Sequence, residues 1–135
     1  MANQPSQLTV PLVLLGRLCF SLIFLMAGFT HFSSGSIAYA ASKGVPMASI
    51  VVPLSGVISL VGALSILLGY RARLGAWLIV PFLVCITPAM HRFWGVANPM
   101  TQQIQMAMFM KNLSMLGGAL LITQFGSGPL SLNDK

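Results

Sequence analysis

Acidic residues are all but missing from this sequence: its 135 residues include one, Asp134, against seven Lys or Arg. That shortage removes a great deal of chemistry. There is no carboxylate pair for acid–base work, no Ser-His-acid set, no HExxH and no Gly-rich phosphate loop. Most hydrolytic mechanisms are excluded, and a stand-alone enzyme is not expected. Cysteine is nearly absent too. Cys19 and Cys85 lie inside long apolar runs with no CxxC or metal-type spacing, so both are expected to pack as small hydrophobes. Charge of either sign is scarce, at 6% of residues, where a soluble domain carries about 25%.

What is present is apolar. Hydrophobic residues make up 56% of the chain, and its mean hydropathy is +0.88. A chain so poor in charge cannot cover itself in water, which makes lipid its solvent. The cations are scattered singly among apolar runs rather than clustered, which argues against nucleic-acid binding. Four runs reach the roughly 20 apolar residues that a transmembrane helix needs: 8–32, 47–70, 74–94 and 103–125. The expected fold is therefore an all-α integral membrane protein, one domain over 1–135, with four transmembrane helices in an antiparallel bundle. Between the runs lie the Gly/Ser/Ala-rich stretch 33–46, the tight turn at Tyr70-Arg71-Ala72-Arg73, and 95–101 with its Asn98-Pro99 turn signal. The end from Gly126 reads as extended and broken by Gly and Pro. Leu18–Phe32 followed by Ala38-Tyr39-Ala40 also resembles a signal-peptide core with a cleavage site; it is read here as a retained helix.

Orientation follows from the Lys and Arg in short loops. Arg71 and Arg73 make their turn the most basic, with Lys135 on the same side and Lys43 and Arg92 on the other. This predicts both termini in the cytoplasm, and Trp77 and Trp94 then fall near opposite interfaces. Small residues at helical spacing should mark helix contacts: Arg17, Ser21, Gly28 and His31 in the first span; Ser55, Ser59, Gly62 and Gly69 in the second; Lys111, Ser114 and Gly118 in the fourth. Pro81 and Pro88 should kink the third.

Two cations lie where none is expected. Arg17 and Lys111 each fall roughly 12–14 Å into their spans, near the middle of the hydrocarbon, where a cation costs about 2.5–3.5 kcal/mol on insertion scales. No Asp or Glu lies in any span to offset this. One reading has Arg17 snorkelling to the headgroups and Lys111 hydrogen-bonded to Asn112, Ser114 or backbone carbonyls. The other has the pair facing one interior site that awaits a lipid phosphate, a quinone carbonyl, an anionic substrate or a carboxylate of another subunit. His31 and His91 end the first and third spans on one side, with Arg92 and Trp94 beside them, and form a candidate polar site at that face. Two histidines of unknown separation do not make a haem or metal site, so no metal is expected. The nine methionines are read as core filler rather than copper ligands.

These pieces together resemble the DoxX family of small bacterial inner-membrane proteins. The resemblance runs from about Leu15 to Leu132. It rests on Gly16-Arg17, Gly28 with His31, Leu68-Gly69-Tyr70 with Arg73, His91-Arg92-Phe93-Trp94, Phe109-Met110-Lys111-Asn112-Leu113, Gly117-Gly118 and the closing Gly126-Ser127-Gly128-Pro129-Leu130-Ser131-Leu132. Many members carry a Glu in the second helix where this chain has Ser59, which deepens the puzzle of the unpaired cations. The resemblance implies a four-helix membrane fold and an association with membrane redox systems, since the family is named for a subunit of a thiosulfate:quinone oxidoreductase.

Two functions follow as expectations. The leading one is a small accessory or structural subunit of a larger membrane complex, quinone-linked, with integral-membrane partner subunits or further copies of itself. The alternative is a binding or transport protein for a quinone-like or anionic amphiphile held between Arg17 and Lys111, with Asn112 and Ser59 at the same site. Neither requires a resident cofactor beyond a bound quinone or lipid.

Overall fold

The computed structural model describes residues 9–133; the expected start of the first span at residue 8, and with it Asp134 and Lys135, lie outside the described residues. The architecture is all-helical: α1 (Thr9–Thr30), α2 (Ser34–Ser42), α3 (Ala48–Leu68), α4 (Ala72–Met90) and α5 (Pro99–Phe125). Four of these, α1, α3, α4 and α5, are long and apolar enough to cross a membrane, as the four runs required. Large side chains such as Leu12, Phe29, Leu74, Leu121 and Phe125 stand exposed around the outside. Such a surface is stable against lipid and not against water.

The boundaries differ from those read in the sequence for local reasons. The stretch 33–46 is not merely a loop. Ser33 caps α2 by accepting the Ser36 N–H at 3.2 Å, and a nine-residue helix of small residues follows. Helix α5 begins four residues before the expected 103. Asn98 Oδ1 accepts the Thr101 N–H at 3.0 Å and Pro99 fills the first turn, where its missing N–H costs nothing. At the end of α3, Gly69 (φ +65°) closes the helix, with Tyr70 N–H donating to Ser65 O at 3.0 Å, the 6→1 bond of a Schellman cap.

Helix contacts are made by small residues. On the α1–α3 seam Gly28 faces Gly56, and Ser59 Oγ donates to Phe24 O at 2.8 Å. On the α3–α4 seam a Cβ on Gly62 would stand 2.9 Å from Gly75 O. Along each pair the partners run in opposite chain directions. The stripe containing Ser59 and Gly62 is legible in the sequence, whereas Gly56 and Gly75 are not singled out by it. The core between the helices is correspondingly fine-grained: Phe24, Ala63, Ile66, Ala76, Ile79 and Leu83. The α1–α5 seam is looser than the α1–α3, α3–α4 and α4–α5 seams; there Phe20 fills the space, its ring at 3.0 Å from where a Gly118 Cβ would be. Cys19 and Cys85 are both exposed rather than packed in the core, and Cys85 lines a cavity described below.

Candidate functional site

Arg17 is the most buried cation among the described residues, 5% exposed, and its partner is the chain's own tail. A helical side chain leans toward the N-terminus of its helix, which brings the guanidinium to the segment beyond α5. Gly126 (φ +75°) and Gly128 (φ +71°) turn that segment back on itself. Its acceptors then converge: Arg17 Nη2 donates to Leu130 O at 2.9 Å, and Nη1 to Ser131 Oγ at 2.9 Å, with Ser127 O at 3.3 Å and Pro129 O at 3.4 Å. Ser131 Oγ also bonds Ser127 Oγ at 2.7 Å and Gly128 O. Beyond the knot, Leu132 N–H donates to Leu68 O at 3.2 Å and Asn133 N–H to Gly69 O at 3.0 Å. The tail thus straps the α3–α4 turn to α1. It is folded, not extended as its Gly and Pro content suggested. A buried cation needs hydrogen-bond partners to be tolerable, and here backbone carbonyls supply what no carboxylate could.

Lys111 sits elsewhere. It is exposed on α5, and its Nζ lies 3.4 Å from Met108 Sδ. Its neighbour Asn112 is buried on the inward stripe that continues to Ala119 and Thr123. Ser59 is committed to the α1–α3 seam. Among the described residues no hydrogen bond joins Arg17, Lys111, Asn112 or Ser59 to one another, so the structure does not gather this expected set into one site. The reason is simple: the Arg17 side chain follows its helix toward the tail, and Lys111 points away from the inward stripe of α5.

Of the second expected set, His31, His91 and Arg92 line one cavity. Helices α3 and α4 touch at Gly62–Gly75, near the tail end, and leave a gap toward the other end. A cavity of about 680 Å3 occupies that gap. Its walls are aliphatic and aromatic, including Val51, Leu54, Ile58, Leu78, Phe82 and Ile86. Helix α2 covers it, held through Ile37 and Ala40 on Ala48, Val52 and Met90. Its polar lining residues include His31, Ser55, Lys43, His91 and Arg92, with Thr30, Ser36 and Tyr39; Lys43, His91 and Arg92 mark a rim where α2 and α4 end. Arg92 Nη2 donates to Lys43 O at 3.0 Å, tying the end of α4 to the end of α2.

Hydrogen bonding fixes how the imidazoles face this rim. Ser55 Oγ donates to Val52 O at 2.6 Å, so it receives a proton from His31 Nδ1, 3.0 Å away. His91 Nδ1 is likewise 3.0 Å from Gln105 Oε1, an acceptor. Each neutral ring therefore carries its proton on Nδ1 and keeps Nε2 as a lone-pair acceptor. The His31 ring also packs on Phe82, centroids 6.0 Å apart. No group of three or more His, Cys, Asp or Glu able to hold a metal occurs among the described residues.

Trp94 lies beside this cleft rather than in it. It packs edge-on against Phe93 and Phe109 and lines a second cavity of about 360 Å3 with Ser42, Lys43 and Arg92. Reading the sequence misses Ser55 and Cys85 as cleft residues, and misses the tail as the partner of Arg17. It finds Lys43 only as a loop charge. The one sequence signal for the tail is its Gly-Ser-Gly-Pro turn chemistry.

Comparison with known proteins agrees with this picture. The chain is 30% identical to the inner membrane protein YphA of Escherichia coli K12 over 126 residues, covering 92% of this chain and 89% of that one. It is 28% identical to the inner membrane protein YqjF of the same organism over 123 residues, covering 90% and 88%. No solved structure matches it. The DoxX family model matches residues 12–92, from early α1 to the Arg92 that closes the cleft, and the chain belongs to the DoxX family.

Proposed function

We propose that this chain is a multi-pass protein of a bacterial inner membrane that binds the apolar part of an amphiphile between α3 and α4. One observation carries the reading: a cavity of about 680 Å3 with mostly apolar walls and a small number of polar side chains, among them His31, Ser55, Lys43, His91 and Arg92. Ligand sites usually occupy some 300–1,000 Å3, lined by apolar side chains with a few convergent polar groups. The walls suit an acyl or prenyl chain. The rim offers two cations and two imidazole nitrogens to a lipid or quinone head. The membrane assignment draws on the names of the two relatives and on the four apolar helices. With both termini in the cytoplasm, as the Arg71/Arg73 turn suggests, the rim opens toward the outer leaflet.

The test is to purify the full chain in a mild neutral detergent and identify retained amphiphiles by mass spectrometry, alongside Cys85→Trp. Cys85 lines the cleft and is exposed, so an indole there fills space without disturbing a packed seam. The expected result is an amphiphile retained by the parent and lost from the variant. Equal retention in both would sink the proposal.

A second reading, an accessory subunit of a larger quinone-linked membrane complex, is favoured by Lys111. An exposed ammonium twelve residues inside α5 has only a thioether beside it, and a carboxylate on a partner helix would relieve it. A protein that co-purifies stoichiometrically with the parent and is lost from Lys111→Met would support this reading; its retention by the variant would remove it.

A further inference from the structure

The two cavities adjoin. The smaller, about 360 Å3, shares Lys43, Ala89, Met90 and Arg92 with the larger, and the Arg92–Lys43 bond lies in the shared wall. Their linings differ in proportion. The larger is walled mostly by aliphatic and aromatic side chains. The smaller sets Ser42, Lys43, Arg92 and Trp94, each a hydrogen-bond donor, beside Ala89, Met90 and Val96.

Charge singles out what fits the smaller one. Lys43 and Arg92 are far apart in sequence, yet the fold fixes the guanidinium of one on the backbone carbonyl of the other. That bond places both residues at one mouth. Neither is neutralised among the described residues: no Asp or Glu occurs within 9–133. Neither is used up. Among the described residues, the Arg92 side chain makes the single bond through Nη2, leaving Nε and Nη1 available. Lys43 Nζ lies 5.3 Å above the Tyr39 ring, a cation–π contact that leaves its three N–H donors free. His91, next to Arg92, has its Nδ1 committed to Gln105.

From this we infer that the smaller cavity is a headgroup site for an anion, phosphate or carboxylate, whose hydrocarbon chain lies in the larger cavity. The inference rests on the amphiphile reading and narrows it, selecting an anionic head over a neutral quinone. Arg92 supplies its unengaged Nε and Nη1 donors to oxygens of the head, and Lys43 a point charge. Guanidinium and ammonium differ in this respect.

The probes are dioleoyl phosphatidic acid and dioleoylglycerol, which share their chains and differ by the phosphate, with inorganic phosphate as a third. Binding to the full chain is measured by native mass spectrometry in neutral detergent. The expected result is about a tenfold preference for phosphatidic acid over the diacylglycerol, the size of one charge-assisted bond. Arg92→Gln and Lys43→Gln should each reduce this preference, and the double variant should bring it near unity while the diacylglycerol still binds. Arg92→Lys should restore part of it. Arg73→Gln, at the opposite end of the bundle, should leave it unchanged. Preference that survives the double variant, or that falls equally in Arg73→Gln, overturns the headgroup site and leaves net charge as the cause. If inorganic phosphate alone competes at millimolar concentration, the anion is a free one and the link between the two cavities fails. Cys85→Trp separates chain binding from head preference. Loss of both lipids upholds the chain cleft whatever the head prefers, and retention of both fells the amphiphile reading itself.

Discussion

At the tail end of the bundle, helices α3 and α4 meet through two glycines, and the segment after α5 folds over their turn. The one cation buried there spends both terminal nitrogens on the chain's own carbonyls and a serine hydroxyl. At the cleft end the same two helices part. The gap is left open, and its cations are held in place without being neutralised. The difference separates two uses of positive charge in a membrane. A buried arginine surrounded by carbonyls is a structural rivet, since both its terminal nitrogens bond the chain itself and its Nε, though without a partner, is sealed inside the fold. A pair of cations fixed at the mouth of an apolar cavity retains its binding capacity. Charge at an unexpected depth is thus the wrong guide to function here, and unspent hydrogen-bonding capacity is the better one.

The largest effect expected from testing this comparison lies at the α3–α4 contact. Gly62→Leu would drive a side chain into Gly75 O and Ile79, both 2.9 Å from the first added carbon. Backbone cannot give way as a side-chain tip can, so the cost should be about 3 kcal/mol. Loss of the folded species in detergent, read by a drop in unfolding temperature, would confirm it. An unchanged transition would mean that the helices are not held together where the small residues meet.

Next comes the rivet. Arg17→Met removes the cation and strands the acceptors of the tail, and should destabilise by about 2–3 kcal/mol. It should also make the bond after residue 126 newly sensitive to protease, since the strap loses its anchor. Ser131→Ala should cost less, about 1 kcal/mol. In combination with Arg17→Met it should add little, because both act on one network. Full additivity would show that Arg17 and the tail are stabilised separately.

How much of this is legible in the sequence depends on what carries the information. The four spans are legible because a run of about 20 apolar residues is long enough to cross a bilayer and too long for an ordinary core helix. The Ser59 and Gly62 stripe is legible because close helix contact demands small side chains. Helix α2 is hidden: Ser-Gly-Ser-Ile-Ala-Tyr-Ala-Ala-Ser has an apolar run of only five residues, mostly alanine, and reads as linker. The partner of Arg17 is hidden for a deeper reason. It consists mostly of backbone carbonyls, which every residue carries, so no residue type announces it. The cleft is hidden because it is a space left where two helices diverge, each of which looks uniformly apolar by itself. Its rim is half visible: His31, His91 and Arg92 can be placed at one end, while Lys43 enters only through the fold of α2.

The smallest stability effect expected is the one on which the comparison turns. Arg92 is exposed and makes one hydrogen bond, to Lys43 O, at the rim. If the rim is a site rather than a rivet, Arg92→Gln should change unfolding stability by no more than about 0.5 kcal/mol, the usual range for a surface substitution. The contrast with Arg17→Met is informative because both changes remove one positive charge from a chain that has few, so global charge effects cancel. Measured side by side in the same detergent, the two should differ by about 2 kcal/mol. Any small change in the rim variant should favour it when anion is absent, since the substitution removes a like charge beside Lys43. It should lose the stabilisation that added phosphatidic acid gives the parent, because a ligand that binds only the folded state raises the transition of whatever it binds. Equal losses for Arg92→Gln and Arg17→Met would mean that the Arg92–Lys43 tie holds the bundle shut as the tail does, and both ends would then be structural.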